Sequence, residues 1–343
     1  MFRIVFVVPT GVGASVGGFA GDAGLVTAYL GQIADEILTH PNVVNAAGFN
    51  ALPPNGLYIE GHALNQFFTE QWGFQKVRSN RIGLVIDRRC EPWLDLIANA
   101  VNATAMSTGC QISGYTLTDQ AVDLQLYPND WGYTGEVNNL EQLITAGQRC
   151  LNAGADALAV LVWFDVLSDS DNPDYFYGQG VDPIGAMEAL ISHALVAELK
   201  VPVAHSPIFT PQIVSQRLDP RVAAEEIGTT YLPCILMGLS RAPRYVPYAE
   251  GDFSLKEIDA VLAPRGACGG LPMLVAAQRQ IPLLVVGENQ SVLPVSPDSL
   301  GWSHDQIFEV ANYWEAAGLL TALKQGIDPW LLRRPLPIDF KPF

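Results

Sequence analysis

Short, β-branched apolar runs that return between helical stretches constrain this chain more than any other feature. Residues 3–9 (RIVFVVP), 81–87 (RIGLVID), 156–164 (DALAVLVWF), 201–207 (VPVAHSP), 259–264 (DAVLAP) and 281–288 (IPLLVVGE) are nearly continuous in apolar residues. Runs of this length and composition read as strands buried on both faces, as in parallel sheets. VVNAAG (43–48) and QISGYTLT (111–118) bring the expected strands to eight.

Helical spacing is read at 91–106, 139–153, 183–199, 222–239 and 269–279. Two further helices are expected. One places Leu25, Tyr29, Ile33 and Ile37 on a face and stops before Pro41. The other opens at Ser303, with Gln306 completing a capping box, and lines up Ile307, Val310, Ala311, Trp314 and Ala317. Strands alternating with helices specify an α/β fold with a mostly parallel, doubly wound, Rossmann-like sheet, in one lobe or two. A (β/α)8 barrel fits the strand count but asks for more regular connections. With two lobes, the division is 1–130 and 131–326, followed by a proline-rich tail at 327–343.

Between the first strand and the first helix lies VPTGVGASVGGFAGDAG (8–24), carrying Gly11, Gly13, Gly17, Gly18, Gly21 and Gly24. Glycines crowded before a helix allow close backbone approach, and a ligand at the helix N-terminus is one use of that. A plain flexible corner is the other. The spacing is GxGxxxG, not GxGxxG, and no acidic residue follows 43–48 to bind a ribose, so a nicotinamide dinucleotide is not expected. No Gly-Lys-Ser/Thr occurs, which excludes a P-loop. Asp22 inside the stretch would repel a phosphate.

The net charge of −16 disfavours nucleic acid as a partner, and no basic run offsets it. The five cysteines are dispersed without a CxxC pair, against a disulfide framework or a cysteine zinc site. No apolar stretch reaches membrane-spanning length, and the N-terminus reads as strand, not signal peptide. A cytoplasmic protein is expected.

Ligands of parallel sheets bind beyond the carboxyl ends of strands. This rule nominates Thr10 with Gly11, Gly13, Gly17 and Gly18; Asn45 and Asn50; Asp87; Asp165; His205 with Ser206; Arg265 with Gly266, Gly269 and Gly270; and Glu288 with Asn289. His205 suits a general base, or a satisfied histidine under a loop. Cys268, near a helix N-terminus, suits a nucleophile or a small buried residue. Arg265 suits a two-point anion clamp. His40, and His62 near Glu60, lack the spacing of a helical metal site, while His193 and His304, on helices, are read as structural. No metal site is expected, and no cofactor is identified.

The motifs VPTGVGASVGGFAGDAG, THPNVVNAA, RGACGG and VVGEN together resemble a family of cyanobacterial and plant-plastid proteins without an assigned function. The resemblance runs along most of the chain and implies a soluble cytosolic protein of a photosynthetic organism. It implies no catalytic residue. At the level of fold alone, the chain is similar to two-lobed nucleotide-sugar glycosyltransferases, although its late glycine cluster lacks their ribose-gripping glutamate.

The expected function is an enzyme holding a small polar or anionic metabolite, with group transfer or isomerisation as the chemistry. Its pocket would be walled by the first glycine stretch and by Arg265 to Gly270, with His205 or Cys268 as the reactive group. The alternatives are a non-catalytic metabolite-binding regulator, a glycosyltransferase-like enzyme, or a scaffold. Trp330, Leu331 and Leu332 in the tail suit either docking on the chain's own core or a contact in a homo-oligomer.

Overall fold

The computed structural model describes residues 1–18, 21–45, 52–164, 173–208, 217–226, 231–302 and 305–335. The chain begins with β1 (Arg3–Phe6), α1 (Gly24–Gly31), β2 (Glu36–Thr39), α2 (Pro41–Val44), β3 (Gly56–Tyr58), α3 (Gly61–Phe68) and β4 (Trp72–Gln75). Next come β5 (Arg81–Ile86), α4 (Leu94–Thr108), β6 (Gln111–Leu117), β7 (Leu124–Asn129), β8 (Gly132–Val137), α5 (Glu141–Asn152) and β9 (Ala157–Trp163). They are followed by α6 (Pro173–Phe176), α7 (Gly185–Leu199), β10 (Val203–Ile208), α8 (Pro220–Glu226), α9 (Tyr231–Ser240) and β11 (Arg244–Pro247). The last elements are β12 (Ala260–Pro264), α10 (Leu271–Arg279), β13 (Leu283–Val286), β14 (Ile307–Val310) and α11 (Tyr313–Lys324).

Two parallel sheets organise these elements. One has six strands in the order β14-β13-β12-β1-β2-β3, the other four in the order β10-β9-β5-β6. The six-stranded sheet takes three strands from each end of the chain, and the four-stranded sheet uses the segment between. Two small antiparallel pairs, β4 with β11 and β7 with β8, lie outside them. Both larger sheets are open, so the α/β expectation holds and the barrel does not form.

Side chains alternate between two cores, as the strand period of two requires. Ile4 and Phe6 join Ile82, Leu84 and Ile86 on one face, covered by residues of α4, α9 and α11. Val5 and Val7 join Val160 and Val162 on the other, under α3, α5, α7 and α10. Each cluster draws on both sheets, so the two sheets share one layer between two layers of helix. Each fully buried side chain of this size contributes about 1.5–3 kcal/mol.

Three expectations are corrected. The first helix stops at Gly31, because Leu25 and Tyr29 of its supposed core face are exposed, and Ile37 belongs to β2. Pro41 sits in the first turn of α2, so residues 41–44 are helix, not strand; 46–50 lie outside the described residues. Residues 307–310 form β14, pairing Leu284 with Phe308 and Val286 with Val310. The last helix starts six residues later than Ile307, capped by Asn312, whose Oδ1 accepts from the Glu315 N–H at 2.9 Å. Ser303 lies outside the described residues.

Candidate active site

The edge strands β3 and β10 belong to different sheets, and a cavity of about 70 Å³ opens where His205 of β10 meets the segments that follow β2 and β3. As bounded by the described residues, it suits a metabolite of a few heavy atoms. Its floor comes from the carboxyl ends of β2 and β3. His40 directly follows β2 and precedes the α2 proline. Its ring is buried, and its Nε2 accepts the Val8 N–H at 3.2 Å. Glu60 follows β3 and caps α3: its Oε2 accepts the His62 N–H at 2.7 Å.

The wall is the first half of α7. Gly185, Glu188, Ala189, Ser192 and His193 recur at the three- and four-residue spacing of one helical face, and all line the cavity. His193 Nδ1 forms an ion pair with Glu60 Oε1. Asp182 precedes the helix and accepts the Ile184 N–H at 2.9 Å, so a carboxylate already occupies that helix start. From β10, His205 points its Nδ1 at Glu188 Oε1, 3.0 Å away, while its Nε2 is buried without a hydrogen-bond partner among the described residues. Phe164 packs edge-on against the His205 ring, with centroids 5.8 Å apart. Glu225 completes the carboxylates, accepting the Tyr175 hydroxyl at 2.5 Å.

Among the described residues, four carboxylates, three imidazoles and no lysine or arginine line the cavity. Burial lowers the His40 pKa to about 4, aided by the nearby His193 charge. Burial also pulls on His193, but the Glu60 hydrogen bond and charge outweigh it and hold that imidazole above its ordinary value. Among the described residues, no three of His, Cys, Asp and Glu are placed to hold a metal ion. The arrangement instead pairs each imidazole with a carboxylate or a backbone group, which is the arrangement that fixes tautomers for proton transfer.

Thr10, Asn45 and His205 of the nominated residues line the cavity. Asn45 accepts the Tyr58 hydroxyl at 2.9 Å. Ser206, next to His205, is buried, and its hydroxyl faces the Pro207 carbonyl at 3.4 Å. Gly11 and Gly13 have positive φ and serve close packing: a Cβ on Gly11 would meet Ala186 of α7 at 2.9 Å, and one on Gly13 the Gly180 carbonyl at 2.8 Å. Gly17 donates its N–H to Asp22 at 2.7 Å, and Gly18 packs on Ala14. Of the described residues of this stretch, Thr10 and Gly21 reach the cavity.

The late cluster lies elsewhere. Arg265 is committed to Asp298 at 2.6 Å and Glu309 at 2.7 Å. Cys268 is fully buried, and its thiol is pushed up to about 12 by that burial. Segment 289–295 lies between the two glycine clusters and bonds to both: Val292 N–H to the Val12 carbonyl, and Val295 N–H to the Gly266 carbonyl. The clusters thus share a strut, where a cleft was expected. Gly269 packs on Val295, and Gly270 caps α10. Glu288 accepts the Tyr313 N–H at 2.9 Å. Asn289, fully buried, binds both backbone groups of Val16 and the Tyr313 hydroxyl. Asp87 caps the turn after β5. Asn50, Asp165 and His304 lie outside the described residues. The sequence reading did not nominate Glu60, Asp182, Glu188 or Glu225; it took from His40 only that its spacing suits no helical metal site, and it classed His193 as structural.

Residues 3–333 match the family described as Protein of unknown function (DUF3326). The chain belongs to this family. A relative in Synechococcus sp. (strain PCC 6301), described as an uncharacterized lipoprotein, is 40% identical over 336 residues, covering 95% of this chain and 91% of that protein. The cyanobacterial resemblance read from the motifs agrees with both findings. Among the described residues of this family member, no helix is long and apolar enough to cross a membrane.

Proposed function

We propose that this protein is an enzyme that moves protons on a small polar molecule held where the two sheets meet. The observation that carries the reading is His205: a buried imidazole in the cavity wall, polarised by Glu188 on one nitrogen, with the other nitrogen unpaired among the described residues. A buried polar atom left without a partner costs about 1–3 kcal/mol, a cost that a bound substrate would offset. With its proton held on Nδ1 by Glu188, the ring presents a lone pair at Nε2 and acts as a general base.

The lining also bears on the ligand. Four carboxylates without a basic side chain among the described lining residues favour a neutral or cationic molecule over an anion, and Arg265 is engaged at another place. Isomerisation fits this site better than group transfer, since it needs only proton movement. Five free, buried cysteines suit a reducing compartment, so we place the protein in the cytoplasm. Cell fractionation with an antibody would test that against the membrane attachment that the relative's description suggests.

A thermal-shift screen of neutral, cationic and anionic metabolites on the full chain tests the enzyme reading. Expected is a stabilising neutral or cationic compound that the protein converts, with conversion lost in His205→Ala while the fold is kept. Conversion at the wild-type rate in His205→Ala would refute the reading. Binding without any conversion would leave a sensor.

A further inference from the structure

We infer that His40 is a second catalytic group of the cavity, a neutral hydrogen-bond donor to a carbonyl oxygen of the substrate, so that the substrate is a small carbonyl compound. This rests on the proton-transfer reading above and extends it. A backbone N–H can only donate, so the 3.2 Å contact from Val8 to His40 Nε2 requires a lone pair there. The neutral ring then carries its proton on Nδ1. No hydrogen bond engages Nδ1 among the described residues, and the ring lines the cavity. Burial keeps this imidazole neutral, with a pKa near 4, so the Nδ1–H remains a donor throughout the physiological range.

His205 is in the same tautomer but turned the other way. Its Nδ1–H faces Glu188, and its Nε2 lone pair is the unpaired end. One cavity therefore offers a fixed donor from β2 and a fixed acceptor from β10. That combination fits abstraction of a proton beside a carbonyl, where negative charge develops on oxygen as the proton leaves carbon.

The step balances within the site. His205 Nε2 takes the proton from carbon, and the C–H bonding pair becomes a carbon–carbon double bond. The carbonyl π pair moves onto oxygen, where the His40 Nδ1–H receives it. Glu188 stabilises the imidazolium so formed. Where the carbon that lost its proton bears a hydroxyl, return of the proton from His205 to the former carbonyl carbon, with that hydroxyl's proton relocating to the first oxygen, leaves a carbonyl on the first carbon and gives the isomer. No external oxidant or reductant is consumed.

Two measurements test this. The first is nitrogen-15 NMR of histidine-labelled full-length protein at pH 7. It should show His40 neutral and protonated on Nδ1; a charged ring, or one protonated on Nε2, would overturn the inference. The second is loss of carbon-bound hydrogen from dihydroxyacetone and glyceraldehyde in heavy water, followed by proton NMR. Expected is protein-dependent exchange, slowed roughly 10²–10³-fold in His40→Ala. His40→Gln, whose amide both accepts from Val8 and donates, should restore part of the rate, and His205→Ala should abolish it. Wild-type exchange in His40→Ala beside a silent His205→Ala overturns the His40 assignment alone. Undiminished exchange in His205→Ala overturns the proton-transfer reading beneath it. No protein-dependent exchange with either probe overturns the carbonyl substrate class, and the metabolite screen then decides the wider reading independently.

Discussion

His205 Nδ1 and Glu188 Oε1 lie 3.0 Å apart, joining a strand at the edge of the four-stranded sheet to the helix packed against it. In the proposed reaction the carboxylate does two things: it selects the ring tautomer, and it stabilises the cation formed when Nε2 takes a proton. Glu188→Gln keeps the shape and removes the charge. Conversion of a ligand found by screening should then fall roughly 10²–10⁴-fold in kcat, with KM changed little. Urea unfolding should place the variant within about 1 kcal/mol of wild type, because Glu188 is partly exposed. Unaltered kcat would remove Glu188 from the mechanism.

The two imidazoles His40 and His193 make opposite contributions to acid stability. With a folded pKa near 4 against about 6.5 unfolded, His40 binds a proton in the unfolded chain that it does not bind in the fold. Its contribution is complete above pH 6.5 and is lost as pH falls towards 4, at most about 3 kcal/mol. His193, held above its ordinary value by Glu60, contributes stability below pH 6.5 that is lost as pH rises through its folded value. Urea denaturation of wild type and His40→Gln at pH 7, 5.5 and 4.5 checks the first claim. The wild type should lose stability faster on acidification, and parallel curves would contradict it.

Asn289 fastens the glycine-rich stretch to the sheet. Its Oδ1 accepts the Val16 N–H at 2.9 Å, and its Nδ2 donates to the Val16 carbonyl at 2.8 Å and to the Tyr313 hydroxyl at 2.7 Å. Asn289→Ala strands three polar groups in a fully buried place, a loss of about 2–4 kcal/mol. Denaturant titration should show the lower midpoint with an unchanged slope. A loss below 0.5 kcal/mol would mean that water replaces the amide.

Runs such as RIVF and ALAVLVW were legible because both faces of those strands are buried, and composition alone reports that. The strand EILT at 36–39 was hidden by its acidic first residue. Glu36 is tolerated there only because Arg3 reaches it at 2.5 Å and Lys76 pairs with it as well. Glu309 hid β14 in the same way, its charge being met by Arg265. These misplacements had a price at the site. The strand-end rule found Thr10, Asn45 and His205, and with β2 and β3 correctly placed it leads directly to His40 and Glu60. It has no route to Glu188 or His193, which sit on a helix. The late glycine cluster misled for a physical reason: glycine marks close approach of any backbone, and at Gly266 that backbone is Leu293, where a Cβ would lie 2.4 Å from its carbonyl oxygen.

Cys268 gives the sharpest contrast between a motif and its surroundings. A thiol three residues before a helix looks activated, since the dipole and Arg265 both favour thiolate. Burial opposes them and wins, raising the thiol to about 12, and Arg265 is itself neutralised by Asp298 and Glu309. Cys90 is raised to about 12 for the same first reason, and all five cysteines are free and buried. Treatment of the native protein with a thiol-reactive disulfide at pH 8 should therefore label no cysteine on the timescale that labels all five in urea. The native rate should increase with urea in step with unfolding, because reaction waits for opening of the core. Cys268→Ala should leave turnover within twofold of wild type and cost about 1 kcal/mol of stability. Rapid labelling of Cys268 alone, with loss of turnover, would return it to the reaction as a nucleophile.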